Sequence, residues 1–172
     1  GIPTSATSTI DPGLDLHVEY AEGLKTSYRN PDFSFAFPFG FGITYTTFSY
    51  NDFTVYSCHD LDAYLPLCVQ VRVTNTGRVP SQDVLQLYVD IPEASFPVPV
   101  LKGFVKSSLI NASQHALVTL EVTGDQLKYW NTTSTSWQLA TSFTLHVGTS
   151  SSPHDRLFTY QGTSRPYTYV TA

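Results

Sequence analysis

The sequence predicts an all-β fold, a sandwich of about seven strands preceded by an extended segment, and three observations carry that prediction. Aromatic residues make up 14% of the chain and charged residues 13%, the latter about half the share usual for a soluble domain. With Thr and Ser abundant, this is the palette of β-structure, in which branched and aromatic side chains pack on a pleated surface. Past Thr46, apolar residues recur with period two in short runs, and Gly, Pro and Asn break those runs at sandwich-like spacing. No stretch carries a helical period long enough to compete.

The first strand holds Phe48, Phe53 and Val55. In the second, Leu67, Val69, Val71 and Val73 point one way and Cys68, Gln70, Arg72 and Thr74 the other, until Asn75-Thr76-Gly77 breaks the run. Leu85, Leu87, Val89 and Ile91 line the inward face of the third, with Gln86 opposite, and Pro92 stops it because proline cannot donate to a central ladder. Leu101 to Val105 begin a fourth strand, and Ala116, Val118, Leu120 and Val122 mark a fifth. Asp125 to Trp130 read as a helical turn too short to be more. Trp137, Leu139, Phe143, Leu145 and Val147 read as one continuous inward face, and Leu157, Phe158 and Tyr160 supply a last strand. Residues 46–172 are therefore expected to form one sandwich of ordinary domain size.

Residues 1–45 do not join that pattern. They hold few paired apolar positions, a Pro12-Gly13 turn and an acidic-aromatic middle of Glu19, Tyr20, Glu22 and Tyr28. Such a segment cannot bury enough surface to order itself, so it is expected to lie on the sandwich or to belong to a neighbouring domain. A chain that starts at Gly1 and contains no Met is expected to be a piece of a longer protein.

The formal charge is −5 and no Lys/Arg cluster tracks a phosphate backbone, so nucleic acid is not an expected partner. No apolar stretch approaches the roughly 18 residues that span a bilayer, and a membrane is not an expected partner either. Cys58 and Cys68 are the only cysteines, and a local disulfide is favoured over two buried thiols. Two glycosylation acceptors, Asn111-Ala112-Ser113 and Asn131-Thr132-Thr133, agree with the oxidising secretory route that such a bond implies. The expected location is extracellular.

The stretch FPFGFGITYTTFSY, residues 37–50, concentrates aromatics around Gly40 and Gly42. From Tyr20 to Phe53 the sequence resembles the junction in family 3 glycoside hydrolases, where Tyr-x-Glu-Gly leads through Phe-Gly-x-Gly-x-x-Tyr-Thr-x-Phe into a fibronectin type III-like domain. VRVTNTGRVPSQDVLQLYV, LKGFVKSSL, LKYW and FTLHVGTSS follow in the same order, so the likeness runs to about Tyr160. Asn30-Pro31-Asp32 departs from the family, which often has His or Tyr followed by Phe-Asp there. The resemblance implies an immunoglobulin-like, fibronectin type III-like sandwich over 46–172, with 1–45 as linker and remnant of a preceding catalytic domain. It implies that Phe37, Phe39, Phe41, Tyr45 and Phe48 pack between domains, with Gly40 and Gly42 permitting turns that a Cβ forbids. The competing reading makes these aromatics the first strand and its own apolar cover.

The family's chemistry needs two carboxyl groups about 5 Å apart around the scissile bond. In family 3 enzymes the nucleophile commonly lies in Ser-Asp-Trp on an amino-terminal barrel, and no Ser-Asp-Trp occurs in this chain. The acid/base precedes the segment that Tyr20 opens. Asp15, Glu19 and Glu22 are read as solvated or interface carboxylates, so no catalytic residue is expected. His17, His59, His115, His146 and His154 show no ligand-like spacing, and no metal or cofactor is expected. The resemblance implies a non-catalytic portion of a secreted β-glucosidase that stabilises the catalytic domains, polysaccharide being a further partner. The alternative is a stand-alone carbohydrate-binding or adhesive sandwich. Its stacking residues would be Trp130, Trp137 and Tyr129, although Trp137 is expected in the core.

Overall fold

The structure is a computed structural model and describes residues 2–3, 23–32, 34–58 and 66–164. Strand β1 is Ile2–Pro3, β2 Phe35–Phe37, β3 Phe48–Ser57, β4 Leu67–Asn75, β5 Val84–Asp90 and β6 Val100–Lys106. They are followed by β7 His115–Val122, β8 Lys128–Asn131, β9 Ser136–Leu139, β10 Ser142–Gly148 and β11 Arg156–Thr163. Helical structure among the described residues is limited to single 3-10 turns.

Seven of these strands build the sandwich as expected. One antiparallel sheet runs β3-β4-β7 and the other β11-β10-β5-β6. Their facing sides supply the core: Leu67, Val69, Val71 and Val73 from β4, Leu85, Leu87 and Val89 from β5, and Phe143, Leu145 and Val147 from β10 are all buried. Val118, Leu120 and Val122 of β7 complete it. The inward set on β3 changes parity, from Phe48 and Tyr50 to Phe53 and Val55. A bulge between Asn51 and Thr54, with Asp52 at φ 54°, takes up the extra residue and keeps both pairs on the core side. Phe53 then stacks on Phe158 across the two sheets, with ring centroids 4.9 Å apart.

The turn at Asn75-Thr76-Gly77 is held by a fully buried amide. Asn75 Oδ1 accepts from the Thr46 hydroxyl at 2.6 Å and the Gly77 amide at 3.0 Å, and Nδ2 donates to the carbonyls of Val79 and Ile110. A Cβ on Gly77 would sit 2.2 Å from the Thr46 hydroxyl oxygen, so the turn and the entry to β3 can approach only because residue 77 has no side chain.

Three expectations need correction. Trp137 and Leu139 do not continue the inward face of β10. The chain breaks at Ala140, whose amide bonds the Leu127 carbonyl, and β9 pairs instead with β8 in a separate hairpin. The odd-numbered parity shared by residues 137 to 147 hid that break. Second, Asp125 to Trp130 is a helical turn only in part. A 3-10 turn spans Gly124–Leu127, capped by reciprocal Thr123 and Gln126 bonds, and the rest is β8. Third, Gln86 does lie opposite the inward face, but that outer position is buried rather than open, as is Tyr88 beside it.

Candidate functional site

The reason Gln86 and Tyr88 are buried is the segment that leads into β3. Within its described part, residues 23–32 and 34–47, Tyr28 and Phe39 cover the outer face of β5. Their rings stack with centroids 4.6 Å apart, and Tyr28 meets Tyr88 edge-on at 6.1 Å. The Tyr28 hydroxyl accepts from the Leu101 amide at 2.9 Å.

Beneath them, Gln86 Nε2 donates to the carbonyls of Gly40 at 2.9 Å and Thr149 at 2.8 Å, while Oε1 accepts from the Tyr88 hydroxyl at 2.6 Å. A single side chain thus ties the incoming segment to β5 and to the loop after β10. The Ser151 amide adds a bond to the Phe39 carbonyl. Gly40 has φ 81°, and a Cβ there would come within 2.2 Å of Gln86 Oε1, so both the turn and the close approach exclude a side chain. Gly42, expected to share that duty, has open space around it and no left-handed φ.

His146 of β10 pairs in register with Tyr88 and is buried on the same outer face, its Nδ1 3.1 Å from the Thr159 hydroxyl. Burial, reinforced by Arg156 and opposed by Asp90, holds its imidazole below the ordinary histidine range. Burial also raises the Tyr88 phenol, with Tyr28 adding to the shift.

Beside this covered face lies an uncovered one. Ile43 is 87% exposed and Tyr45 94% exposed, and Phe37, Phe41 and Phe104 are exposed with them. Phe37 and Phe41 pack on each other with centroids 5.2 Å apart. An open groove of about 660 Å³ runs between Phe39 to Thr44 and the side chains of Tyr50, Gln86, Leu101 and Phe104. Of the five aromatics read as interdomain contacts, Phe37, Phe41 and Tyr45 stand at the surface. Phe39 is half-buried on Tyr28, and Phe48 packs against the sandwich core.

Cys58 and Cys68 are joined in a disulfide with Cα atoms 5.2 Å apart. Asn111 is exposed before β7. Asn131 ends β8 half-buried, its Nδ2 donating to Gln138 Oε1 at 3.2 Å. Asp15, His17, Glu19, Glu22 and His59 lie outside the described residues. Among the described residues no group of three or more His, Cys, Asp or Glu side chains is arranged to hold a metal. No helix among them is long and apolar enough to cross a membrane. Period-two reading missed Gln86, Tyr88 and His146 because an outer-face position carries no mark of what lies on top of it.

Comparison with known proteins gives this arrangement a family. The fibronectin type III-like domain family matches residues 83–151. Thermostable beta-glucosidase B of Acetivibrio thermocellus is 36% identical over 81% of this chain and 19% of its own length. The crystal structure of the GH3 beta-glucosidase of Bifidobacterium adolescentis superposes with a TM-score of 0.76 at 29% identity, covering 94% of this chain and 24% of that one. Beta-glucosidase D2-BGL of Chaetomella raphigera gives a TM-score of 0.74 at 29% identity over 92% of this chain and 24% of its own. The chain therefore spans about a fifth of the length of the curated relatives it matches. With a three-on-four sandwich at its centre and an aromatic segment leading into it, the chain belongs to the fibronectin type III-like portion of family 3 β-glucosidases.

Proposed function

We propose that this chain is a non-catalytic part of a secreted family 3 β-glucosidase, an enzyme hydrolysing terminal β-D-glucosyl residues with carboxylates that lie elsewhere. Its work is to stabilise the catalytic domains. The observation that carries this reading is the exposed apolar ridge of Phe37, Phe41, Ile43 and Tyr45, set beside a face on which the same segment is locked down by Gln86. Monomers seldom expose a contiguous apolar patch beyond a few hundred Å², and one rimmed by polar groups usually marks a contact surface. A segment fixed at Gly40 presents its outward side chains at defined positions, which is what a permanent domain contact needs.

The disulfide and the two acceptors Asn111 and Asn131 support secretion and glycosylation. Polysaccharide is a further partner in this reading, met through surface aromatics.

The test is reconstitution. The purified chain is expected to release no nitrophenol from p-nitrophenyl glucoside. Added to a separately produced catalytic portion of the same enzyme, it is expected to lengthen the half-life of activity at elevated temperature. Turnover by the chain alone, or a half-life indifferent to it, overturns the proposal.

A further inference from the structure

The β8–β9 hairpin carries a further exposed aromatic group. Lys128, Trp130, Trp137 and Leu139 form its outer face, with Trp130 directly opposite Trp137. Trp130 is 50% and Trp137 65% exposed, and the indoles meet edge to face at 75° with centroids 5.8 Å apart. The inner face, Tyr129, Asn131, Ser136 and Gln138, is half-buried, and Tyr129 anchors it against the core. Two indoles so placed form a corner, one ring steadied by the other, with half or more of each residue open to solvent.

Resting on the polysaccharide part of the proposed function, we infer that this corner is a binding site for a neutral glucan chain, a sugar ring stacking on Trp137 with Trp130 as its wall. The surroundings select that occupant. Lys128 is neutralised by Asp125 at 2.7 Å, and the turn that closes the hairpin, Thr132 to Thr135, offers hydroxyls and no charge. A hydroxyl-bearing, uncharged ligand matches that rim better than an anion or a cation. The hairpin face by itself is too small to seat a large protein partner. Two strands of four residues span about 13 Å by roughly 5 Å between strands, far below the ~800 Å² per partner of a stable interface. The formal charge of −5 disfavours an anionic membrane. A glycan on Asn131 is not the occupant, since that residue lies on the opposite face of the hairpin from both indoles.

The test is affinity electrophoresis of the 172-residue chain through gels containing hydroxyethyl cellulose, with Trp fluorescence titration by cellohexaose and laminarihexaose. The wild-type chain is expected to be retarded and its fluorescence to saturate with at least one hexaose. Trp137→Ala is expected to weaken binding at least tenfold, Trp130→Ala by less, and Trp137→Phe to retain part of it. Should Trp137→Ala lose its near-ultraviolet circular dichroism, Trp137→Phe and Trp130→Ala carry the comparison. Asn131→Gln is expected to bind as wild type. Absence of retardation and of any fluorescence change overturns the inference. So does binding unaltered in both Trp variants, or Trp-dependent self-association or adsorption to phosphatidylserine vesicles in place of glucan binding. A chain that fails here yet still stabilises the catalytic portion would remove this site and leave the buttress role standing.

Discussion

The two outer faces of the sandwich obey the same alternation and meet opposite fates. On the three-stranded sheet, Gln70, Arg72 and Thr74 of β4 alternate with the core valines and stay partly exposed, Arg72 pairing with Asp52 at 2.6 Å. On the four-stranded sheet the corresponding positions, Gln86 and Tyr88 of β5, lie beneath Tyr28 and Phe39, and His146 of β10, in register with Tyr88, is buried as well. The difference lies in what is laid on the sheet. A polar side chain on a covered face must find protein partners, and Gln86 finds three.

The largest effect is expected in the core that both sheets share. Leu87→Ala should cost about 2 to 5 kcal/mol, measured as a shift of the denaturant midpoint at constant slope. Reduction of the Cys58–Cys68 bond should cost roughly 3 kcal/mol on the chain-entropy account of so short a loop, read by the same titration with and without reductant. Gln86→Ala comes next, at about 1 to 3 kcal/mol, because it strands a buried tyrosine hydroxyl and two part-buried carbonyls. Gln70→Ala on the open sheet should stay within about 0.5 kcal/mol. Equal costs for the two glutamines would erase the comparison.

The smallest effect concerns pH. Above about pH 6.5 His146 is neutral in both folded and unfolded chains. Below it the unfolded chain takes up a proton that the folded chain resists, because the folded imidazole is held below its ordinary range. Stability should therefore fall as pH drops from about 6.5 toward the folded pKa, and His146→Gln should flatten that dependence. A wild-type profile flat from pH 7 to 5 would mean that the imidazole is not enclosed.

How much of this was legible follows from the same contrast. The inward faces of β4, β5 and β7 were readable because burial on one side of a strand writes a period of two into the sequence. The family could be read from ordered motifs around Gly40 and Tyr45. Coverage of an outer face could not, since Gln86 has the same polar spelling as Gln70. Nor could the break at Ala140, where Trp137 and Phe143 share parity but belong to different sheets. A hairpin that merely precedes a core strand looks like its extension until pairing is known.

The most direct measurement of the central claim is made in the full-length protein proposed to carry this chain, comparing Ile43→Ser/Tyr45→Ser with wild type. Both side chains are almost wholly exposed in this structure, so their loss should leave the sandwich itself intact. If the ridge docks against the catalytic domains, each buried apolar side chain there contributes about 1.5 to 3 kcal/mol. The double variant should then inactivate at least several times faster on heating, with kcat unchanged at low temperature. Heat inactivation identical to wild type, or a collapse of kcat in enzyme that remains fully folded, would contradict the account.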